Sequence, residues 1–239
     1  MSTTVSGPII TWENLPDDFP LPDDPVDNIN QPLLAAALTE SLEVAGRIQP
    51  SMLIGTNFGI CATVDGKLVI KAPDWFYICS VLPLTLPPNQ NRRSYTPRLQ
   101  GEVPAIVMEF LSETDGGEYS IKAKYPPGKW YYYERILQVA MYGIFEPEAG
   151  WLEVYQLDAS GRYQLASPDA NGHYPIAGIG LFLGVWQGNK ANRTGYWLRW
   201  WDKAGQMLLW GTERLQQERQ LRDRMAAKLR DLGINPEAI

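Results

Sequence analysis

Two acidic residues lie in segments whose other residues are mostly apolar. Asp74 directly precedes the run W75-F-Y-I-C-S-V81, and Glu109 interrupts the run A105-I-V-M-E-F-L111. An ionised carboxylate in a strand core is costly unless a basic side chain or a metal ion compensates its charge. If neighbouring strands place these two carboxylates side by side, their repulsion favours a divalent cation, and oxygen ligands suit Mg²⁺ or Mn²⁺. The pair therefore indicates metal-assisted chemistry.

The alternation of the second run leaves another interpretation open. Glu109 has the same parity as Val107 and Leu111, so its face of the strand is otherwise apolar, and we expect it near the strand's end. The alternative is a strand-end glutamate that faces solvent or pairs with an arginine. On spacing alone, this alternative is the simpler one.

The elements that must position these residues follow from local patterns. A helix is predicted from Asn30, as N-cap, to about Arg47, with Leu34, Leu38 and Leu42 on its apolar face. Short β-rich runs over 52–81, joined by a D65-G-K67 turn, indicate an antiparallel meander. Further along we expect a strand at 106–111, a helix at 129–138, a strand at 139–145, a hairpin at 151–165, an aromatic β segment at 174–210 and a charged helix at 212–232.

Composition limits the class of protein. The chain has 239 residues, of which 45% are hydrophobic, enough for one sizeable core. We expect a Pro/Asp-rich arm at 1–28, one domain at 29–210 and a charged C-terminal helix at 211–239. No window approaches the roughly 18 apolar residues of a membrane span, and no signal peptide is recognisable, so we expect a cytoplasmic protein without membrane contact.

Charge and cysteine content exclude two further classes. The net charge of −6 opposes a protein that coats nucleic acid by bulk electrostatics, so any basic contact surface must be local. Cys61, Cys79 and the single His173 are far apart in sequence, and this spacing argues against a disulfide framework and a Cys/His zinc site.

Several short motifs resemble a known family when they are taken in order. They are P73-D74, then P104-x4-E109-x2-S112, then an acidic loop, K129-x3-Y133 and Y142-x3-E146-P147. Their order and spacing resemble the bacterial family of putative restriction endonucleases in the PD-(D/E)XK nuclease superfamily. The similarity covers roughly residues 30 to 150, and the tail K228-L-R-D-L-G-I-N-P-E237 resembles the charged helical tails of many members.

The resemblance implies an α/β fold with a restriction-endonuclease-like core, in which helices flank a mixed β-sheet. It implies that Asp74 and Glu109 hold Mg²⁺ or Mn²⁺ and that Lys129 is the catalytic lysine. Lys122 and Lys124 are close enough in sequence to compete for that role. The superfamily's first-helix acid would be Glu40 or Glu43, and the resemblance does not choose between them.

The sequence also departs from the family pattern. Leu111 occupies the superfamily's usual lysine position, as in this family generally. Ala105 replaces the aspartate that most members have after the strand proline, and the later Asp-Pro is E146-P147 here. None of these changes removes a residue assigned to the metal. They leave open the alternative that the chain is a degenerate, inactive copy of the family's nuclease.

Three functions follow as hypotheses. The first is a metal-dependent endonuclease that hydrolyses DNA phosphodiester bonds, with the homodimer common in the superfamily as a possible assembly. The second is a catalytically inactive nuclease fold that serves as an interaction module. The third is a carbohydrate-binding β protein, which nine Trp and twelve Tyr residues allow and the acid pair disfavours.

Overall fold

The computed structural model of the protein describes residues 30–83, 92, 94–112, 117–233 and 235. The helices are α1 (Asn30–Val44), α2 (Lys129–Tyr131), which continues as a π-helix (Tyr132–Leu137), and α3 (Gly211–Asp231). The strands are β1 (Leu53–Gly55), β2 (Gly59–Val64), β3 (Lys67–Lys71), β4 (Trp75–Ile78), β5 (Ser94–Tyr95), β6 (Ile106–Phe110), β7 (Met141–Glu146), β8 (Trp151–Leu157), β9 (Tyr163–Leu165), β10 (Tyr174–Ile176), β11 (Leu181–Lys190) and β12 (Arg193–Trp201). The predicted arm at 1–28 lies outside the described residues.

A six-stranded sheet in the order β1-β4-β6-β7-β8-β9 forms the centre of the fold. Its pairs are antiparallel except for β6 and β7, which are parallel. Parallel neighbours need a crossover connection rather than a tight turn, and here α2 and the π-helix lie in that connection. The predicted α/β fold, with a mixed sheet and flanking helices, is confirmed.

One face of the central sheet packs against α1 and against a second sheet of β10, β11 and β12. Three tryptophan indoles tie these layers together by donating hydrogen bonds to α1. Trp75 donates to Thr39 Oγ1, Trp200 to the Leu38 carbonyl and Trp210 to the Ala37 carbonyl, at 2.9, 3.2 and 3.0 Å. Because each indole N–H is satisfied, these large side chains can be buried without an unpaired donor.

The opposite face is covered by the π-helix and by a small sheet in the order β3-β2-β5. Tyr132 is fully buried in this layer, and its hydroxyl donates to the Ile60 carbonyl of β2 at 2.9 Å. This layer therefore fixes the π-helix against both sheets.

The predicted meander over 52–81 is wrong in its connections. β1 and β4 pair with each other in the central sheet, whereas β2 and β3 form a hairpin in the small sheet. Asp65 and Gly66, with φ of 49° and 74°, make the expected tight turn of that hairpin. The hairpin instead packs on Tyr132, which shares a core cluster with Ile60 and Val69.

Within the part of the chain that the structure describes, the contacts that anchor α3 lie near its beginning. Glu213 accepts two hydrogen bonds, at 3.1 and 2.7 Å, from the fully buried guanidinium of Arg199. Along the rest of α3, the apolar side chains of Leu221 and Met225 are exposed. The homodimer stays a prediction. None of the described helices is long and apolar enough to cross a membrane.

We expect Trp200→Ala to lower the free energy of unfolding by about 3–5 kcal/mol, because it opens a large cavity between α1 and two sheets. Urea denaturation followed by far-UV circular dichroism measures the change. Trp151→Ala is the matched control: this side chain is 63% exposed, so the loss should stay below about 1 kcal/mol. Equal losses in the two variants would contradict the assignment of Trp200 to the core.

Candidate active site

The two acidic residues singled out in the sequence meet on one face of the central sheet. In the antiparallel pairing of β4 and β6, Trp75 lies opposite Met108, so the next position along the register places Asp74 opposite Glu109. The backbone N–H of Phe110 donates to Asp74 Oδ2 at 2.5 Å. Asp74 is 9% exposed and Glu109 is 1% exposed. The alternative interpretation, in which Glu109 faces solvent, is therefore wrong.

A lysine and a tyrosine from the crossover connection reach Glu109. Lys129 Nζ lies 3.0 Å from Glu109 Oε2, and the Tyr133 hydroxyl donates to Glu109 Oε1 at 2.9 Å. Residues four apart share a helix face, which brings both groups to one carboxylate. The basic partner of Glu109 is thus Lys129 and not an arginine.

Lys129 has a second carboxylate partner that the sequence did not single out. Glu118 Oε1 lies 2.9 Å from Lys129 Nζ, and Glu118 is buried. The Tyr142 hydroxyl donates to the Glu118 backbone carbonyl at 3.0 Å, which holds this part of the connection against β7. The ammonium group of Lys129 therefore bridges two carboxylates, one from β6 and one from the connection.

Burial raises the pKa of the Glu109 carboxyl to about 8, and the neighbouring Asp74 charge adds to the rise, whereas Lys129 and Tyr133 oppose it. Burial acts to lower the pKa of Lys129. The charges and hydrogen bonds of Glu109 and Glu118 outweigh that effect, so this pKa is raised. Lys129 is accordingly an ammonium donor at neutral pH, and it cannot act as a base there.

Other lysines contribute charge nearby. Partial burial lowers the pKa of Lys71, at the end of β3, and the positive charges of Lys129 and Lys122 lower it further. Lys71 is thus part of the electrostatic surroundings of the acid pair, although no sequence motif indicated it. Lys122 and Lys124 are exposed, and neither forms an ion pair with a described carboxylate. Of the three lysines considered from the sequence, Lys129 is the one that bonds to Glu109.

Neither first-helix acid lies at this site. Glu40 pairs with Lys190 and accepts a hydrogen bond from the Gly211 N–H, and Glu43 is exposed. The residue of α1 that approaches the acid pair is Gln31, whose Nε2 donates to the Phe110 carbonyl at 2.8 Å. At 1.5 Å of rise per residue, Glu40 lies about 13 Å further along the helix axis than Gln31. The expectation for Glu40 or Glu43 is therefore wrong.

Three residues at the site were not identified from the sequence, and the sequence pattern around each of them differs. Tyr133 was visible in the K129-x3-Y133 motif, one helical turn after Lys129, but its bond to Glu109 was not predicted. Glu118 ends the acidic loop of the motif series, and no pattern in the sequence connected it with Lys129. Gln31 lies in the first turn of α1, and no feature of the sequence connected it with β6.

A family model described as Uma2, putative restriction endonuclease, matches residues 28–185. The chain belongs to this family. No curated protein matches the chain. The matched residues of this Uma2 protein include the central sheet, the small sheet and the crossover connection, with Asp74, Glu109 and Lys129 among them. The family suggests a nuclease.

Members of the restriction-endonuclease-like fold usually use divalent metals, and the donor atoms of this Uma2 site are compatible with one. Asp74 and Glu109 provide two adjacent carboxylates from paired strands, and such oxygen donors suit Mg²⁺ or Mn²⁺. The described residues include no cluster of three or more His, Cys, Asp and Glu side chains arranged for a metal ion. The compatibility of this site with a divalent metal ion therefore rests on the carboxylate pair of Asp74 and Glu109.

Lys129→Met should destabilise this Uma2 protein more at pH 8.5 than at pH 5.5. The folded chain keeps a proton on Glu109 to about pH 8, whereas the unfolded chain releases it near pH 4.5, so wild-type stability falls as pH rises between these values. Without Lys129 the pKa of Glu109 rises further, and the fall continues to higher pH. We expect losses of about 2 kcal/mol at pH 5.5 and about 3 kcal/mol at pH 8.5, because wild-type Glu109 has begun to ionise only near the higher pH.

Urea denaturation at the two pH values measures these losses. Lys124→Met removes an exposed lysine from the same connection and serves as the control, with little change at either pH. A Lys129→Met loss that is the same at both pH values would contradict the coupling of Lys129 to the ionisation of Glu109.

Proposed function

We propose that this protein is a metal-dependent nuclease that hydrolyses phosphodiester bonds of DNA. The observation that carries the proposal is the meeting of three groups on one sheet face: the Asp74 carboxylate, the Glu109 carboxylate and the Lys129 ammonium. Two acids and one lysine in this arrangement are the parts that the family's proposed chemistry requires. The family membership supports the same reaction class.

Asp74 and Glu109 are the residues that would hold Mg²⁺ or Mn²⁺. When bound, such an ion supplies Lewis-acid stabilisation of the charge that develops on the phosphate. The Phe110 N–H fixes one oxygen of Asp74, and the Tyr133 hydroxyl fixes one oxygen of Glu109, so both carboxylates are oriented by the protein before any ligand arrives. This orientation reduces the reorganisation needed during the reaction.

Lys129 would act as a fixed positive donor in the reaction. Because its pKa is raised, the ammonium keeps its proton at neutral pH and can donate hydrogen bonds to an attacking water or to a phosphate oxygen. Glu118 holds the same ammonium from the other side, so the amine stays beside the acid pair when its bond to Glu109 is exchanged for one to substrate. Glu118 is therefore a positioning residue for Lys129.

A non-catalytic interaction module is the second candidate, and one observation favours it. Both oxygens of Glu109 already have protein partners, Tyr133 and Lys129, so the buried acid is compensated without a metal ion. A nuclease fold that had lost its activity could remain folded with this arrangement. Metal binding separates the two candidates.

We expect Mn²⁺ at about 100 times its Kd to raise the Tm of the wild-type chain by about 5–10 °C. Asp74→Asn and Glu109→Gln should each remove this rise, because each replaces a carboxylate by an amide of the same shape. Differential scanning calorimetry with and without Mn²⁺ measures the shift. Glu43→Gln is the matched control, since this exposed acid of α1 should leave the Mn²⁺ response unchanged. A wild-type response in either site variant would contradict the proposed metal site.

Lys129→Gln should lower the rate of DNA cleavage by about 100-fold or more, because it removes charge stabilisation from the reacting phosphate. Its Mn²⁺ affinity should stay within a few-fold of the wild-type value, since both carboxylates remain. Cleavage of supercoiled plasmid and Mn²⁺ titration calorimetry measure the two effects. Lys124→Gln, on the exposed part of the same segment, is expected to cleave at the wild-type rate. Equal rates for Lys129→Gln and wild type would exclude the proposed role of Lys129.

A further inference from the structure

A shallow cleft adjoins the acid pair on the same face of the central sheet. Its volume is about 170 Å³, and it is lined by Leu111, Tyr119, Ile144, Glu146, Trp151 and Glu153. Ile144 is the register partner of Glu109, and Leu111 follows Glu109 by two residues on the same side of its strand. The cleft therefore begins where the proposed active site ends.

Two exposed aromatic side chains line this cleft. Trp151 is 63% exposed and Tyr119 is 48% exposed, although both are large and partly apolar. Tyr119 is nevertheless fixed: its ring stacks on Trp130 with centroids 6.4 Å apart, and its hydroxyl donates to Glu153 Oε2 at 2.8 Å. A held aromatic ring with a free face can accept another planar ring at a small entropic cost.

The cleft also contains a hydrogen-bond acceptor. Glu153 Oε2 accepts hydrogen bonds from the Tyr119 and Tyr155 hydroxyls, both at 2.8 Å. Among the described residues, none donates to the other oxygen, Oε1. A ligand with an amino group next to a planar ring would pair with this oxygen while the ring contacts the aromatic side chains.

Size and charge restrict what can bind. The volume is below the roughly 300–1,000 Å³ of pockets for drug-sized ligands, so the cleft accepts about one ring system and not a whole nucleotide. Glu146 and Glu153 make the cleft unfavourable for a phosphate, whereas Lys129 lies beside the neighbouring acid pair. A nucleotide would thus place its base in the cleft and its phosphate at the lysine.

We propose that this cleft binds one unpaired nucleobase that carries an exocyclic amine, next to the phosphodiester bond that is cut. The placement of the DNA strand beside the acid pair rests on the proposed nuclease function. The base site rests on the residues of the cleft alone. A base in a continuous duplex is stacked and cannot enter, so the substrate class is single-stranded or locally unpaired DNA. Cytosine, adenine and guanine carry the exocyclic amine that would donate to Glu153, and thymine carries none.

Binding of fluorescein-labelled oligonucleotides to the full chain tests the proposal. Fluorescence anisotropy with (dC)₁₂, (dT)₁₂ and a 12-base-pair duplex, each measured without Mg²⁺ or Mn²⁺, follows binding in the absence of cleavage. Trp151→Ala should raise the Kd for (dC)₁₂ about 10-fold, the size of the loss expected from one base–aromatic stack, with a much smaller effect on the duplex. Trp151→Phe should keep most of the affinity because it keeps a ring.

Leu165→Ala is the control for a large exposed side chain. Leu165 is 61% exposed and lies opposite Tyr155, about 13 Å along β8 from Trp151, so its removal should leave every Kd unchanged. Glu153→Gln should reduce the preference for (dC)₁₂ over (dT)₁₂ and leave (dT)₁₂ binding near wild type. Circular dichroism verifies that each variant is folded.

The outcomes distinguish this proposal from the nuclease proposal. Unchanged (dC)₁₂ binding in Trp151→Ala, an equal loss for the duplex, or wild-type binding of (dT)₁₂ as tight as that of (dC)₁₂ would each overturn the base site. Plasmid cleavage by wild type and Glu109→Gln tests the nuclease separately. A Trp151-dependent preference for single strands without any cleavage would leave the base site standing and refute the nuclease.

Discussion

The burial of the Glu109 carboxyl group, which raises its pKa to about 8, is the constraint on which the site depends. A glutamate that is almost completely removed from water destabilises the fold unless nearby groups compensate it, and here Lys129 and Tyr133 do so. Both come from the crossover connection between β6 and β7. The position of that connection is therefore tied to the charge state of one side chain on the central sheet.

The layers around the sheet keep this arrangement in place. The π-helix that carries Tyr133 packs between the central sheet and the small sheet, where Tyr132 is held by the Ile60 carbonyl. On the other face, α1 is fixed by three tryptophan indoles, and its Gln31 contacts the Phe110 carbonyl beside the acid pair. Elements on both faces of the sheet thus contact the site, although Asp74, Glu109 and Lys129 lie on one face.

Local patterns predicted those parts of the molecule that depend on nearby residues. The helix at α1, the Asp65-Gly66 turn and the hairpin of β8 and β9 follow from periodicity and turn chemistry. The pairing of β1 with β4 could not be predicted, because strand choice depends on which surface needs covering. The same limit applies to Glu118 and Gln31, whose contacts with Lys129 and Phe110 join elements distant along the chain.

The single parallel pair of the central sheet constrains the connection between its strands. The acids belong to strands paired by the sheet itself, whereas the lysine is delivered by the connection that a parallel pair requires. An insertion or deletion before Lys129 would move the lysine relative to the acids and leave the buried Glu109 without its cation. The length of this connection is therefore constrained twice, once by the crossover between parallel strands and once by the burial of Glu109.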